Sequence, residues 1–329
     1  MLRSPRVPAS HVLDRVLVLE MVRVTEAAAV AASKWIGRGD NDAADAAAVE
    51  AMREALNELP FDGTVVIGEG ERDEAPLLYI GEKVGSAQGT GPKINIALDP
   101  LEGTTLTAKA GPNALCVLTI SEEGGLLNAP DTYMDKLAIG PGYPEGIIDL
   151  SQSVTDNIRA IADAKGVEAN EIIACVLDRP RHEQIIDELR SLGCGVILIC
   201  DGDVAGVIAV TDPDTGIDVY LGSGGAPEGV LAASALRCVG GQMQGRLVFR
   251  NDDEIARARR WGIEDLDRIY NLEEMAKSDC IFAATGVTDG SLLQGVHRRK
   301  NCITTESIVM RASSGTVRRV SAEHHKWDD

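Results

Sequence analysis

From Leu17, apolar side chains recur at helical spacing: Met21, Val24, Ala28, Ala31 and Trp35 share one stripe, which Gly37 closes. A second stripe through "DAAAVEAMREALNEL" sets Val49, Met52, Leu56 and Leu59 on one face. Then the period drops to two. "FDG" reads as a turn, "TVVIGE" as a strand, and "KINIALD" and "ALCVLTI" as two more, with Gly124 and Gly125 turning the chain after the second. "YMDKLAIGPG" predicts a further strand. This half reads as helices packed on a mostly antiparallel sheet.

From "TDNIRAIADAKG", a helix with Gly166 just past its end, the pattern changes. Strand "EIIACVLD", helix "HEQIIDELRSLG", strand "CGVILICD", a short helix from Asp203, strand "IDVYLG" and helix "PEGVLAASALRCVG" follow in turn. This βαβα order predicts a sheet covered by helices. The spacing places a boundary near residues 150–170, dividing the chain into an N-terminal α+β domain over 1–160 and a C-terminal α/β domain over 161–329. The segment "CITTESIVMRASSGTVRRVSAE" predicts a hairpin around Ser313–Gly315, and the first ten residues read as a loose tail.

Charge narrows the classes of function. The chain has 329 residues, with 32 basic against 51 acidic and a net charge of −19, so nucleic acid and anionic membranes are poor partners. Aromatic residues make up only 3%, which argues against a stacking platform for single strands. A phosphorylated substrate would also be repelled, unless cations or a local basic pocket reverse the field. Seven cysteines form no CxxC pair, and most lie in apolar runs, as buried reduced thiols of a cytoplasmic protein do. The apolar run near the start is broken by Asp14, Arg15 and Glu20, and nothing is long enough to span a membrane.

The candidate chemistry begins where a strand runs into acid. In "INIALDPLEGTTL", apolar Ile94, Ile96 and Leu98 lead directly to Asp99 and Glu102, with no Lys or Arg before Lys109. Two like charges this close repel, so either both face water or a cation sits between them. Asp45 lies on the stripe of Val49, Met52 and Leu56, although an Asp in a first turn is usually a dipole partner or a cap. Glu69 ends a strand, and alone it reads as a loop acid; Glu228 opens a helix, where dipole compensation is the ordinary role. Taken together, five acids at element ends suit a hard oxygen-liganded cation, Mg²⁺ or Mn²⁺, and five His with no HExxH motif argue against zinc. Two such cations about 4 Å apart clamp a phosphoryl oxygen and acidify water. Gly103, Gly224 and Gly225 would let backbone amides approach the phosphate.

"DPLEGTT" resembles the DPxDGT motif of the lithium-sensitive phosphatases, the inositol monophosphatase-like superfamily. With "RVTEAAA", "GRGD", "VIGEGERDEAPLLYIGEKVG", "YMDKLAIGPG", "RPRH", "DGDVAG", "GGAPEG" and "ATGVTDG", the chain resembles the class II fructose-1,6-bisphosphatases of bacteria from about Leu17 to about Val320. The resemblance implies an α/β fold, a layered α/β/α/β/α sandwich, with metal binding in the N-terminal domain and sugar binding in the C-terminal one. It implies metal ligands Asp45 and Glu69 for one site, and Asp99, Glu102 and Glu228 for the other. Thr104 would align the attacking water together with Glu69. Substrate contacts would fall on Glu102, Gly103, Thr104, Tyr133, Arg179, Pro180, Arg181, Asp201, Gly202, Asp203 and Gly225. Arg179 and Arg181 suit a phosphate that does not react, although a solvated pair beside His182 is the ordinary alternative. Asp201 and Asp203 suit sugar hydroxyls, or simply a strand-end turn.

The implied reaction is hydrolysis of the 1-phosphate of fructose 1,6-bisphosphate, with Mn²⁺ or Mg²⁺ as cofactor and a homodimer or homotetramer as assembly. Alternatives are a dual enzyme that also takes sedoheptulose 1,7-bisphosphate, and a non-catalytic sugar-phosphate sensor. One departure stands out: the lysine that usually follows "GRGD" in the family is Asn41 here.

Overall fold

The computed structural model describes residues 7–70 and 76–325. In chain order it forms α1 (Leu17–Ser33), α2 (Asn41–Asn57), β1 (Asp62–Ile67), β2 (Lys83–Val84), β3 (Lys93–Glu102), α3 (Thr104–Ala108), β4 (Leu115–Glu122) and β5 (Tyr133–Ile139). Next come α4 (Val154–Lys165), β6 (Ile173–Leu177), α5 (Glu183–Ser191), β7 (Gly195–Ile199), α6 (Asp203–Ala209), β8 (Val219–Gly225) and α7 (Ala226–Val239). The chain ends with β9 (Gln242–Val248), α8 (Asp252–Arg260), β10 (Ile269–Asn271), α9 (Leu272–Met275), β11 (Cys280–Gly286), β12 (His297–Arg298), β13 (Ile303–Arg311) and β14 (Thr316–His324). The fold is mixed α/β, with two sheets flanked by helices.

Two compact units result. The first joins residues 7–126 to 278–325, and the second is Leu127–Lys277. This differs from the division expected at 160/161. Strand β5 pairs antiparallel with β8 and β9 and so belongs to the second sheet. The C-terminal strands return to the first, where β11 lies against β4 and β13 against β11. Strand alternation reports local periodicity; it carries no record of where a chain re-enters a sheet. The "FDG" turn is also shorter than expected, because Asp62 and Gly63 already pair within β1.

In the first unit the order is β12-β13-β11-β4-β3-β1-β2, with β14 on β13. Among the described residues its one parallel pair is β1 with β3. Helices α1 and α2 bury their predicted stripes on this sheet: Met21, Val24, Ala28, Met52 and Leu56 join Ile94, Ile96, Leu98 and Leu118 in one core. Three buried hydroxyls link helix to sheet, Thr25 to Thr285 and Thr285 to Ser307, each at 2.7 Å. The hairpin β13–β14 turns where expected, with Arg311 opposite Thr316.

In the second unit the order is β10-β9-β5-β8-β6-β7. Its βαβα stretch gives the parallel pairs β6–β7 and β6–β8. Helices α4 and α5 bury Ile158, Ile161, Ile186 and Leu189 against β6 and β8. Among the described residues no helix is long and apolar enough to cross a membrane.

Candidate active site

The acids of the first unit owe their placement to a bulge. Asp99 lies opposite Val117 and Glu102 opposite Leu115, so three steps along β3 match two along β4. In a regular strand an odd separation would send the two carboxylates to opposite faces. The extra residue at Pro100–Leu101 corrects the parity, and both acids share one face while Leu101 turns into the core. Proline fits there because it cannot serve a continuous ladder. The Asp99 carboxylate also accepts a hydrogen bond from the Leu101 amide at 3.0 Å.

Gly103 then takes a left-handed conformation, φ 87°, and opens α3; a Cβ there would meet Leu106 at 2.8 Å. Thr104 is therefore the first helical residue, and the N-cap position falls on Gly103, which has no side chain to cap with. The cap role that competes with water alignment belongs to its neighbour. Beside it, Asn41 donates to the Thr105 hydroxyl at 3.4 Å.

Asp45 and Glu69 meet directly. Helix α2 starts at Asn41 with Asp40 as its N-cap, whose carboxylate accepts from the Ala43 amide. Asp45 thus sits one turn further in than a first-turn acid, and neither capping nor the dipole accounts for it. Burial pushes its carboxyl up, a hydrogen bond with Glu69 pulls it down, and Asp42 raises it again. Glu69 is held by its own backbone: its amide donates to the Leu78 carbonyl at 3.1 Å. Gly68 permits that approach, since a Cβ would lie 2.0 Å from the Leu78 oxygen. Fully buried Cys116 registers the convergence. Its thiol is pushed well up by burial, then by Asp99 and by Asp45.

The second unit gathers the remaining candidates around β5 and β8. Gly224 and Gly225 are cradles: a Cβ on Gly224 would lie 1.9 Å from Asp203 Oδ2, and one on Gly225 would lie 1.8 Å from Glu228 Oε2. Glu228 is in the first turn of α7, yet its Oε2 is buried without a hydrogen-bond partner. Burial raises its carboxyl, Asp203 raises it further, and Lys136 opposes both. Lys136 escapes a reading of the sequence. It is 1% exposed and donates to Asp203 Oδ2 at 2.5 Å. Its signal is the strand pattern, because Met134, Lys136 and Ala138 occupy the same alternating, buried positions of β5.

His182 escapes it too. It is buried rather than part of a solvated surface group: Nδ1 donates to the Leu177 carbonyl at 2.8 Å, while Nε2 accepts from the Ser223 amide at 2.7 Å. Burial holds its pKa below the ordinary value. Arg181, next to it, donates through Nε and Nη2 to the Ser223 carbonyl at 2.9 and 2.7 Å. The amide and the carbonyl of Ser223 are thereby both used to position the "RPRH" turn. The Arg181 guanidinium lies over the Tyr133 ring, 4.9 Å from its centroid. Arg179 faces Asp201 at 3.8 Å, both partly exposed, and Pro180 opens the turn between the two arginines. Gly202, in a left-handed conformation, precedes Asp203 at the start of α6.

The donor set fits a hard divalent cation. In the first unit it is made only of carboxylates, two of which, Asp45 and Glu69, share a hydrogen bond. In the second unit, taken by itself, Glu228 has an orphaned buried oxygen. Among the described residues no three His, Cys, Asp or Glu side chains form a ready-made cage. The acids are paired rather than clustered.

Residues 15–324 match the family described as bacterial fructose-1,6-bisphosphatase, glpX-encoded. The chain belongs to this family. It is 48% identical over 327 residues to fructose-1,6-bisphosphatase 1 class 2 of Escherichia coli strain K12, covering 95% of this chain and 96% of that protein. The class 2 fructose-1,6-bisphosphatase of Shigella flexneri matches to the same extent, 48% identity over 95% and 96% of the two chains. Among solved structures, the extragenic suppressor protein suhB of Bartonella henselae covers 61% of this chain and 75% of its own at 14% identity, TM-score 0.33. An inositol monophosphatase from Anabaena (Nostoc) sp. PCC 7120 covers 59% and 71% at 15% identity, TM-score 0.31.

Proposed function

We propose that the chain is a phosphoric monoester hydrolase that removes the 1-phosphate of D-fructose 1,6-bisphosphate, giving fructose 6-phosphate and phosphate, a gluconeogenic step. The observation that supports this best is the bulge at Pro100–Leu101. It sets Asp99 and Glu102 on one face immediately before Gly103 and Thr104, in a chain 48% identical to a class 2 fructose-1,6-bisphosphatase.

Asp45 and Glu69, and Asp99, Glu102 and Glu228, are the proposed ligands of Mn²⁺ or Mg²⁺. Bound cations would neutralise these acids and the phosphoryl oxygens. The Thr104 hydroxyl and the Glu69 carboxylate hold the attacking water, and a Glu69 oxygen takes its proton. The water oxygen bonds to phosphorus, the bond from phosphorus to the sugar oxygen breaks, and that oxygen takes a proton from solvent water as the sugar leaves, while Glu69 returns its own proton to solvent. Tyr133 and Arg181 hold the other phosphate, with Arg179 and Pro180 beside them. Asp201 and Asp203 accept from sugar hydroxyls, Asp203 through the oxygen that does not hold Lys136. Gly103, Gly202 and Gly225 let the substrate approach the backbone. The proposal includes a cytoplasmic homodimer or homotetramer.

Phosphate release from fructose 1,6-bisphosphate by the purified protein, with Mn²⁺ and then Mg²⁺, tests this reading. Fructose 6-phosphate should accumulate in step with phosphate. No release with either ion, or equal release after exhaustive chelation, would overturn it. Sedoheptulose 1,7-bisphosphate run alongside separates a single-substrate enzyme from a dual one.

A further inference from the structure

Tyr133 opens β5 with Gly225 of β8 opposite it on one side and Val248 of β9 on the other. A guanidinium reaches the ring from each of these neighbours. Arg181, anchored on Ser223 of β8, is 4.9 Å from the ring centroid, and Arg250, two residues past Val248, is 4.8 Å from it. Two cations that share one aromatic ring repel each other, so something must hold each in place.

Arg250 is held by a buried carboxylate. Glu254 is 1% exposed and lies in the first turn of α8. Its Oε1 accepts from Arg250 Nε at 2.6 Å and Nη2 at 2.5 Å, while Oε2 accepts from the Arg250 amide at 2.7 Å and from the Thr132 hydroxyl at 2.8 Å. Burial works to raise the Glu254 carboxyl, yet these bonds hold it below its usual range. The guanidinium is therefore fixed along one edge and stacked on a ring. Its side chain is nonetheless 50% exposed, so the opposite edge still presents N–H donors. A planar cation oriented this way, with a second one around the same phenol, is suited to an anion with several oxygens.

We propose that Arg250 is a second clamp, with Arg181 and the Tyr133 hydroxyl, on the substrate phosphate that does not react. This rests on the sugar-bisphosphate reading. A phosphate dianion relieves the repulsion of the two guanidinium groups, and in a chain of net charge −19 it gives a doubly phosphorylated sugar its foothold. Glu254 and Thr132 then serve to orient Arg250.

The competing role for Arg250 is to neutralise Glu254 and fasten α8. Removing the arginine alone would leave a buried charge unpaired, so the informative variant is Arg250→Met with Glu254→Gln. At saturating Mn²⁺ its KM for fructose 1,6-bisphosphate should rise by about tenfold or more, with a much smaller change in kcat. The loss on fructose 1-phosphate, which lacks the remote phosphate, should be far smaller. Arg250→Lys should restore only part of the KM. Calorimetric titration with inorganic phosphate should show weaker binding to the double variant than to the parent. That titration stands whether or not fructose 1,6-bisphosphate is the substrate, so failure of the clamp and failure of the functional reading are told apart. An unchanged KM and unchanged phosphate affinity, or equal losses on both sugars, would overturn the proposal.

Discussion

The two units prepare their charges in opposite ways. In the first, the groups acting on Asp45 besides burial are both acids, Glu69 and Asp42, and two further carboxylates share one face of β3. In the second, three cations around β5 and β8 are answered within the protein: Lys136 by Asp203, Arg250 by Glu254, Arg181 by the Ser223 carbonyl. The first resembles a ligand set waiting for cations, and the second a preformed anion receptor. Repulsion among acids is tolerable where a cation will be bound, whereas a guanidinium must already point the right way when a phosphate arrives.

The largest effect should come from unpairing the second unit. Lys136→Met leaves Asp203 buried without its cation, and the unfolding free energy should fall by about 3–5 kcal/mol. Lys136→Met with Asp203→Asn should recover most of that in denaturant titrations. Equal stability of the single and double variants would show that the pair is not coupled.

Next is the first unit. Thr104→Ala should lower kcat by roughly a hundredfold while Mn²⁺ and substrate still bind, and Thr104→Ser should keep much of the activity. Because the N-cap position is Gly103 and not Thr104, the melting temperature of Thr104→Ala should barely move. A kcat within a few-fold of the parent would remove Thr104 from the chemistry.

Arg181→Ala should act on binding instead. The lost charge-assisted bonds are worth roughly 1.5–3 kcal/mol, which is about tenfold to over a hundredfold in KM for the bisphosphate. A comparable loss in kcat would mean that the two units do not divide the work as described.

Smallest is a pH effect at His182. Burial keeps the folded imidazole neutral below its ordinary pKa of 6.5, while the unfolded chain takes up a proton there. Its contribution to stability is therefore full above that value and is lost as pH falls toward the depressed folded pKa. The melting temperature of the parent should fall more steeply from about pH 7.5 to about 5.5 than that of His182→Gln. Parallel curves would contradict a neutral, buried His182.

Much of this contrast is legible in the residues, and the failures have physical causes. The helical stripes of α1 and α2 and the alternation of β3 and β4 appear in the chain because one face of each is buried. The acids at element ends also stand out, since charge after an apolar run is conspicuous. The pairing that makes Lys136, His182 and Arg250 useful is not conspicuous. Each is a single polar residue near a strand, and its partner is 67, 41 or 4 positions away. Likewise the bulge in β3 is hinted at by Pro100, but its effect on parity shows only when the register with β4 is known. The division into units is not legible in the residues, because β11 and β13 complete a sheet begun long before them.

The contrast itself is tested most directly by calorimetric titration of Mn²⁺ into chelator-treated protein, comparing the parent with Asp99→Asn and Arg181→Ala. Cation binding should be lost or strongly weakened by Asp99→Asn and should match the parent in Arg181→Ala. Unchanged Mn²⁺ affinity in Asp99→Asn, or an equal loss in Arg181→Ala, would contradict the assignment of cations to the carboxylates around Asp99 and of the remote phosphate to the guanidinium groups around Tyr133.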